Sequence, residues 1–485
     1  MEKKSKPNII LVFADQMRAQ STGYAGDPNV ISPNLDNLSK ESINFKTAVS
    51  ACPICTPYRG CLLTGKYPLS TGVIMNDIAL RPDETTIAKV LASHGYNTGY
   101  IGKWHLNGPA RKKYIPKSGR GGYDFWAAYN SGHNYFDGFY FTDEPDRKKW
   151  KGYEPDAQTD MAIDYINSYD KNEPFFLTLS YGTPHNPYDQ VPKRYKEKYR
   201  ADSLVTRKNF MNSHVRDKKN LEQYKKHYSI EKLKKDPSIY RGVFPEIVHE
   251  EIIGYNAHIT ALDENIGRLL SCIEDKGIRD NTIFLFTSDH GDMLGSHRKY
   301  HKQWPYDESI LVPCLLRYPK KLRDSNEVNL PFNVVDIMPT LLGLADVPVP
   351  ESVEGYDFTN YLTTGKVTEE TPDAALFMII SPFLSSPSWG MREYRGIRTS
   401  RYTYTRMIQG PWMLFDNQKD PYQENNLINI PEYESIQKKL DSKLNELLNK
   451  TGDDFQEAEV HRERLGIFIV KDDDAIPTLQ NNENL

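Results

Sequence analysis

The segment ACPICTPYRGCLLTG, residues 51–65, sets a thiol, a proline and an arginine at a spacing suited to binding and attacking an anion. Thr56 is expected to cap a helix whose first position is Pro57, where a missing N–H costs nothing, and Gly65 to stop it. Cys55 then sits at a helix N-terminus, and Arg59, four residues on, shares its face of the first turn. Helix N-termini favour anions, and arginine offers a planar fork that matches tetrahedral oxyanions. The expectation is a nucleophile site for an anionic substrate. The C-x-x-C spelled by Cys52 and Cys55 has no second copy to complete a zinc site, so Cys52, Cys61, Cys272 and Cys314 are expected to be packing residues.

Other reactive residues cluster behind apolar runs. Asp15 and Gln16 follow Asn8–Ala14, Lys103 and His105 follow Asn97–Ile101, His185 follows Pro174–Ser180, and Asp289 and His290 follow Thr282–Thr287. Lys302 lies in HKQWPYDES. Carboxylate and amide oxygens suit a hard cation, and imidazoles suit proton transfer near neutral pH. Lysine titrates near 10.4 when unperturbed, so Lys103 and Lys302 read as charge clamps.

The elements that must position these groups are short β-branched or aromatic runs, a further one at Leu311–Leu316, alternating with helical patterns. Ile259, Leu262, Ile266, Leu269 and Ile273 stop at Gly277; Ile87, Val90 and Leu91 end at Gly95. The fold expected is α/β, a large mostly parallel sheet flanked by helices. Ligands of such sheets bind beyond the carboxyl ends of the strands, and four strand ends here carry an acid, an imidazole or a lysine. A shared active site follows. Residues 1–350 are expected to form this catalytic domain, with a basic insertion at about 190–245 that holds sixteen Lys or Arg against six Asp or Glu. Its tyrosines are Tyr195, Tyr199, Tyr224, Tyr228 and Tyr240. Residues 351–485 read as a smaller C-terminal α+β subdomain. Its antiparallel strands come from Leu376–Ile380, Tyr394–Met407 and Trp412–Phe415, and one helix carries Ile436, Leu440, Leu444 and Leu447 up to Gly452.

Composition narrows the function classes. With 485 residues, 61 Lys and Arg against 65 Asp and Glu, and a net charge of −4, no chain-wide basic field exists to drive nucleic-acid binding. No run approaches the roughly 20 apolar residues needed to span a bilayer. Five cysteines are too few for a disulfide scaffold. The start, MEKKSKPN, lacks a signal-peptide core, so the chain as written is expected to be cytoplasmic, or periplasmic or secreted if a leader was removed. Oligomeric state has no signal in the sequence.

CTPYR followed by LLTG resembles the C-x-P-x-R…T-G signature of the formylglycine-dependent, type I sulfatases of the alkaline-phosphatase superfamily. NIILVFADQ, GKWH, TPH, TSDHGD, HKQWPYDES, RGIRTSRYTY and LFDNQKDP extend the likeness over nearly the whole chain. The resemblance implies that Cys55 is oxidised to formylglycine by a formylglycine-generating, sulfatase-maturing enzyme. It implies one divalent cation, usually Ca²⁺, held by Asp15, Gln16, Asp289, His290 and the modified Cys55. Arg59, Lys103, His105, His185 and Lys302 would surround the sulfate. A hydrate oxygen would attack sulfur, His185 would protonate the leaving alcohol, and His105 would help a sulfate hemiacetal collapse. Two departures stand out. Many relatives carry Asp at Gln16 and a small residue at Tyr58, so the metal site loses one negative charge.

The rival chemistry is a phosphonate monoester or phosphodiester hydrolase of the same superfamily, which resembles sulfatases in nucleophile and metal but lacks the Lys103 and His105 pair. A catalytically inert sulfated-glycan binder is the non-enzymatic alternative. The expected substrate is a sulfated carbohydrate. The loop Tyr123–Tyr140, with Trp126 and His133, and Trp389 and Trp412 could stack on sugar rings, while Arg111, Lys112, Lys113 and the basic insertion engage neighbouring anions.

Overall fold

The computed structural model describes residues 6–210, 245–322, 326–383, 391–470 and 478–480. Eight strands build its central sheet: β1 (Asn8–Asp15), β2 (Ile43–Phe45), β3 (Asn97–Lys103), β4 (Phe125–Tyr129), β5 (Phe175–Pro184), β6 (Thr282–Ser288), β7 (Leu315–Arg317) and β8 (Asn326–Val328). Their spatial order is β8-β2-β7-β6-β1-β5-β3-β4. The five neighbours β6, β1, β5, β3 and β4 are mutually parallel. Only β7 is reversed, pairing antiparallel with β6 and β2. The run at Leu311–Leu316 therefore supplies a strand only from Leu315; Leu311 makes an isolated bridge to Val49.

β1 shows why the apolar runs become central strands. Every residue after Asn8 is buried, as a parallel strand covered on both faces requires. Side chains alternate across the sheet, so Ile9, Leu11 and Phe13 enter one core and Ile10, Val12 and Ala14 the other. The first core is closed by α1 (Cys55–Thr64), α2 (Ile87–Ser93) and a later helix, α5 (Val334–Leu344), through Leu62, Leu91, Ile337 and Leu341. The second is closed by α3 (Glu154–Ser168) and α4 (Pro245–Asp275), whose Ile259, Leu262, Ile266, Leu269 and Ile273 form the expected stripe. Gly277 and Gly95 take left-handed φ of +68° and +85° where those helical patterns were expected to stop.

A second, antiparallel sheet follows, in the order β9 (Ala374–Ile379), β10 (Tyr394–Thr399), β11 (Tyr402–Met407), β12 (Gly410–Asp416). The single run expected over Tyr394–Met407 is thus a hairpin. Its cover is α6 (Glu434–Lys450), which buries Leu440, Leu444 and Leu448. Leu448 replaces Leu447 in the buried stripe because i, i+4, i+8 stays on one narrow line. Ile436 and Leu447 pack half-buried beside it.

Of the basic insertion, residues 211–244 lie outside the described residues, Tyr224, Tyr228 and Tyr240 among them, as does Trp389. Tyr195 is buried with Ala257 and Ala261 of α4, and the Tyr199 hydroxyl is hydrogen-bonded to Thr260. These two tyrosines are packing residues. Among the described residues no helix is long and apolar enough to cross a membrane.

One buried ion pair ties the small sheet to its C-terminal flank. Arg395 of β10 grips Asp453 with two nitrogens, and both side chains are essentially inaccessible. Removing one member of such a pair strands the other charge, at a cost of about 3–5 kcal/mol. Asp453→Ala is therefore expected to lower the unfolding free energy by that amount in a denaturant titration; a change below about 1 kcal/mol would contradict the pair's role.

Candidate active site

Four parallel strands finish on one edge of the sheet, and each hands over a reactive side chain. Asp15 is the last residue of β1 and Lys103 the last of β3; His185 follows β5, and Asp289 and His290 follow β6. Gln16 turns the chain with φ +70°, and its N–H donates to Asp289 Oδ1 at 2.9 Å. Gly102 makes Lys103's position accessible. With φ +106°, any Cβ there would lie 2.0 Å from the Ser180 carbonyl oxygen, so only glycine lets β3 pass so close to β5. Gly291 does the same beside His290, where a Cβ would meet the Glu308 carbonyl oxygen at 1.9 Å.

The helix α1 closes the site, and it starts two residues earlier than expected. Ile54, extended, is its N-cap, and no side chain caps it. The Thr56 N–H instead donates to Asn76 Oδ1 at 3.0 Å. Pro57 tolerates the shift because every N–H of a first turn lacks an intrahelical acceptor. Gly65, with φ +65°, is the expected stop. Cys55 is thus the first helical residue, and all ten residues of the helix are buried. Tyr58 joins the first core.

Around Cys55 the charges interlock. Its Sγ lies 3.1 Å from Lys302 Nζ, 3.3 Å from His290 Nε2 and 3.6 Å from Asp15 Oδ1. Asp15 Oδ2 receives Lys103 Nζ at 2.6 Å and Arg59 Nη2 at 3.2 Å. Arg59 also approaches Asp289 Oδ2 at 3.6 Å and donates from Nη1 to Ser180 Oγ and the Lys103 carbonyl. Lys302 Nζ reaches Gln16 Oε1 at 3.1 Å and His185 Nε2 at 3.0 Å. His105 stands with φ +56°, its Nε2 3.3 Å from Asp77 Oδ1.

Burial sets the protonation states. It pushes the Cys55 thiol up to about 11, with Asp15 adding to the rise and Lys103 and Lys302 opposing it. It raises Asp289 to about 6, reinforced by the charge of Asp15. Burial would raise Asp15 too, yet Lys103, His185, Arg59 and Lys302 hold it well below the usual carboxylate range. Burial and then Lys103 draw His105 down to about 3 against the pull of Asp77. His185 falls for the same first reason, then through His133 and Lys302.

Whether this set fits a cation can be read from its donors. Ligand atoms of Asp15, Cys55, Asp289 and His290 lie within 4.8 Å of one another. Among the described residues Asp289 Oδ2 is buried without a hydrogen-bond partner. His290 Nδ1 lies 3.0 Å from the Gly291 carbonyl oxygen, so Nδ1 carries the hydrogen and Nε2 presents its lone pair. The Gln16 amide donates from Nε2 to Asp292 Oδ2 at 2.7 Å and to Tyr188 at 3.1 Å, which turns its oxygen toward Lys302. Two buried carboxylates, an amide oxygen and an imidazole suit a hard divalent cation.

A cavity of about 270 Å³ opens over Cys55, Lys302, His185, His105, His133 and Arg111. His133 stacks face to face on His185, centroids 4.0 Å apart and planes 6° from parallel. His301 lines this cavity as well. The sequence reading missed Asp77, which lies in a loop and not at a strand end. Its carboxylate holds His105 and, through two bonds, Arg111. Asp77→Asn is expected to lower kcat/KM by roughly 10- to 100-fold through misplacement of both groups; unchanged steady-state kinetics would refute that positioning role.

The arrangement is an oxyanion-handling, cation-ready centre at the carboxyl edge of an α/β sheet. A family model for sulfatases matches residues 7–347, and one for the C-terminal part of N-sulphoglucosamine sulphohydrolase matches 295–450. An ulvan-active sulfatase of Formosa agariphila is 40% identical over 99% of this chain and 88% of its own length. An N-acetylglucosamine-6-O-sulfatase of Bacteroides thetaiotaomicron is 28% identical over 90% of this chain and 86% of its own. The crystal structure of the "putative sulfatase yidJ" from Bacteroides fragilis superposes with a TM-score of 0.79 at 29% identity, covering 95% of this chain and 98% of that one. The chain belongs to the sulfatase family, within the alkaline-phosphatase superfamily, and is a sulfuric ester hydrolase.

Proposed function

We propose that the enzyme hydrolyses sulfate monoesters of sulfated carbohydrates, with Cys55 matured to formylglycine and one Ca²⁺ held by Asp15, Gln16, Asp289, His290 and residue 55. One observation carries this reading. Residue 55 occupies a helix N-terminus amid Lys302, His290 and Asp15, yet as a thiol it is held protonated, at about 11. The place suits a nucleophile and the thiol does not. Formylglycine would supply a hydrated aldehyde oxygen there, and the cation would supply positive charge beside the sulfate.

The chain's own groups do the rest. Arg59, Lys103 and Lys302 clamp the ester's non-bridging oxygens and stabilise charge as the S–O bond breaks. His185 donates the proton to the departing alcohol. Its Nδ1–H is anchored on the Asn186 carbonyl oxygen at 2.7 Å, so Nε2 is the atom facing the cavity. A bound sulfate ester brings negative charge that favours the protonated form, which burial disfavours. His105 is neutral, with Nε2 turned to Asp77 and Nδ1 buried without a partner among the described residues, which suits it to accept the proton of residue 55's hydroxyl.

The carbohydrate assignment draws on the ulvan-active and N-acetylglucosamine relatives and on the cavity's aromatic and basic rim. A maturing enzyme would act on CTPYR before folding, since that helix is buried. Residues 1–350 would be the catalytic domain and 351–485 the subdomain that backs it. The phosphonate and phosphodiester alternative is disfavoured, because Lys103 and His105 both belong to the site. The test is release of inorganic sulfate from a panel of sulfated saccharides beside phosphonate monoesters and phosphodiesters. Sulfate release at least about tenfold faster than phosphorus-ester cleavage is expected; the reverse order would overturn the assignment.

A further inference from the structure

A second cavity, also of about 270 Å³, shares no lining residue with the first among the described residues. Arg18 lines it, two positions beyond Gln16. Its side chain is 4% exposed. Nε donates to Ser21 Oγ at 2.7 Å, and among the described residues the guanidinium has no carboxylate partner and no other hydrogen bond. A buried cation without a counter-charge is costly, so natural proteins pair it. Arg207 lines the same cavity with its Nε fixed on Glu308 Oε1 at 3.1 Å and its guanidinium over the Tyr422 ring at 5.2 Å. Ser296 and Gln20 also line it, and their Oγ and Oε1 are buried without hydrogen-bond partners among the described residues. Asp27 is there too, its Oδ1 already accepting from the Asn29 N–H and Nδ2 at 2.9 Å, and it pairs with neither arginine among the described residues.

We propose that this cavity is a second anion site, in which Arg18, Arg207 and the Ser296 hydroxyl bind a sulfate group away from the catalytic centre. Two guanidinium forks and a hydroxyl donor match a tetrahedral oxyanion. The Arg18 backbone is clamped independently. Its N–H donates to the Tyr255 hydroxyl, which in turn donates to the Gln16 carbonyl oxygen. The side chain can therefore be changed without releasing that turn. The sulfate group is either the free ion released by the enzyme or an ester on a multiply sulfated glycan.

Equilibrium dialysis of the full chain against radiolabelled inorganic sulfate is expected to find two bound ions, and one in each of Arg18→Gln and Arg207→Gln. Kinetics then separate the sources. If an ester is the natural occupant, Arg207→Gln raises KM for a multiply sulfated oligosaccharide about tenfold while kcat/KM for a small aryl sulfate stays within about twofold. If free sulfate is, both KM values hold and only the ion's binding is lost. A single bound sulfate in the parent, or two in both variants with parental KM, would overturn the proposal.

Discussion

Cys55→Ala protein is expected to fold like its parent and to release no sulfate above background, a loss of roughly 10⁴-fold or more in kcat. The size follows from what Sγ occupies. It lies within hydrogen-bonding reach of both Lys302 and His290 and beside Asp15, at the first residue of a fully buried helix. Electrostatic groups that clamp an oxyanion accelerate nothing without an attacking atom between them and the ester. Folding should survive, because alanine keeps the helix and its Cβ, and the thiol's surroundings are polar rather than a packed apolar void. Equal melting temperatures with no turnover would separate chemistry from stability. Full activity in Cys55→Ala would refute the nucleophile assignment.

Stripping divalent cations is expected to have the second largest effect, abolishing turnover and lowering the melting temperature, with both restored by Ca²⁺. Asp15 and Asp289 are buried together, and their mutual repulsion is only partly answered by Arg59, Lys103 and Lys302. A cation that binds the native state alone stabilises it by about 2.7 kcal/mol at a concentration of 100 Kd. Asp289→Asn separates this from general fragility. It removes the repulsion, so the chelated variant should melt no lower than the chelated parent, while Ca²⁺ should no longer raise its melting temperature. Undiminished activity after thorough chelation would contradict the cation site.

Much of this centre was legible in the sequence because its groups stand at strand ends. Apolar runs such as NIILVFAD announce buried parallel strands, and the parallel rule puts Asp15, Lys103, His185 and Asp289 on one edge. The start of α1 was misplaced because its Thr56 N–H donates to Asn76, which is remote in sequence, in place of a local Thr56 cap. The reversed strand at Leu315 escaped notice since a short buried run carries no mark of direction. Asp77 and Arg18, whose guanidinium has no carboxylate partner among the described residues, were invisible for a different reason. Their roles lie in which groups lie near them in space, and neither sits in a periodic pattern.

The most direct test is the mass of the peptide containing residue 55, taken from protein produced in a host with a maturing enzyme and assayed in the same preparation for sulfate release. A peptide that has lost sulfur and two hydrogens and gained one oxygen, in proportion to specific activity, is the expected result. Fully active protein that still carries an intact cysteine thiol at position 55 would contradict it.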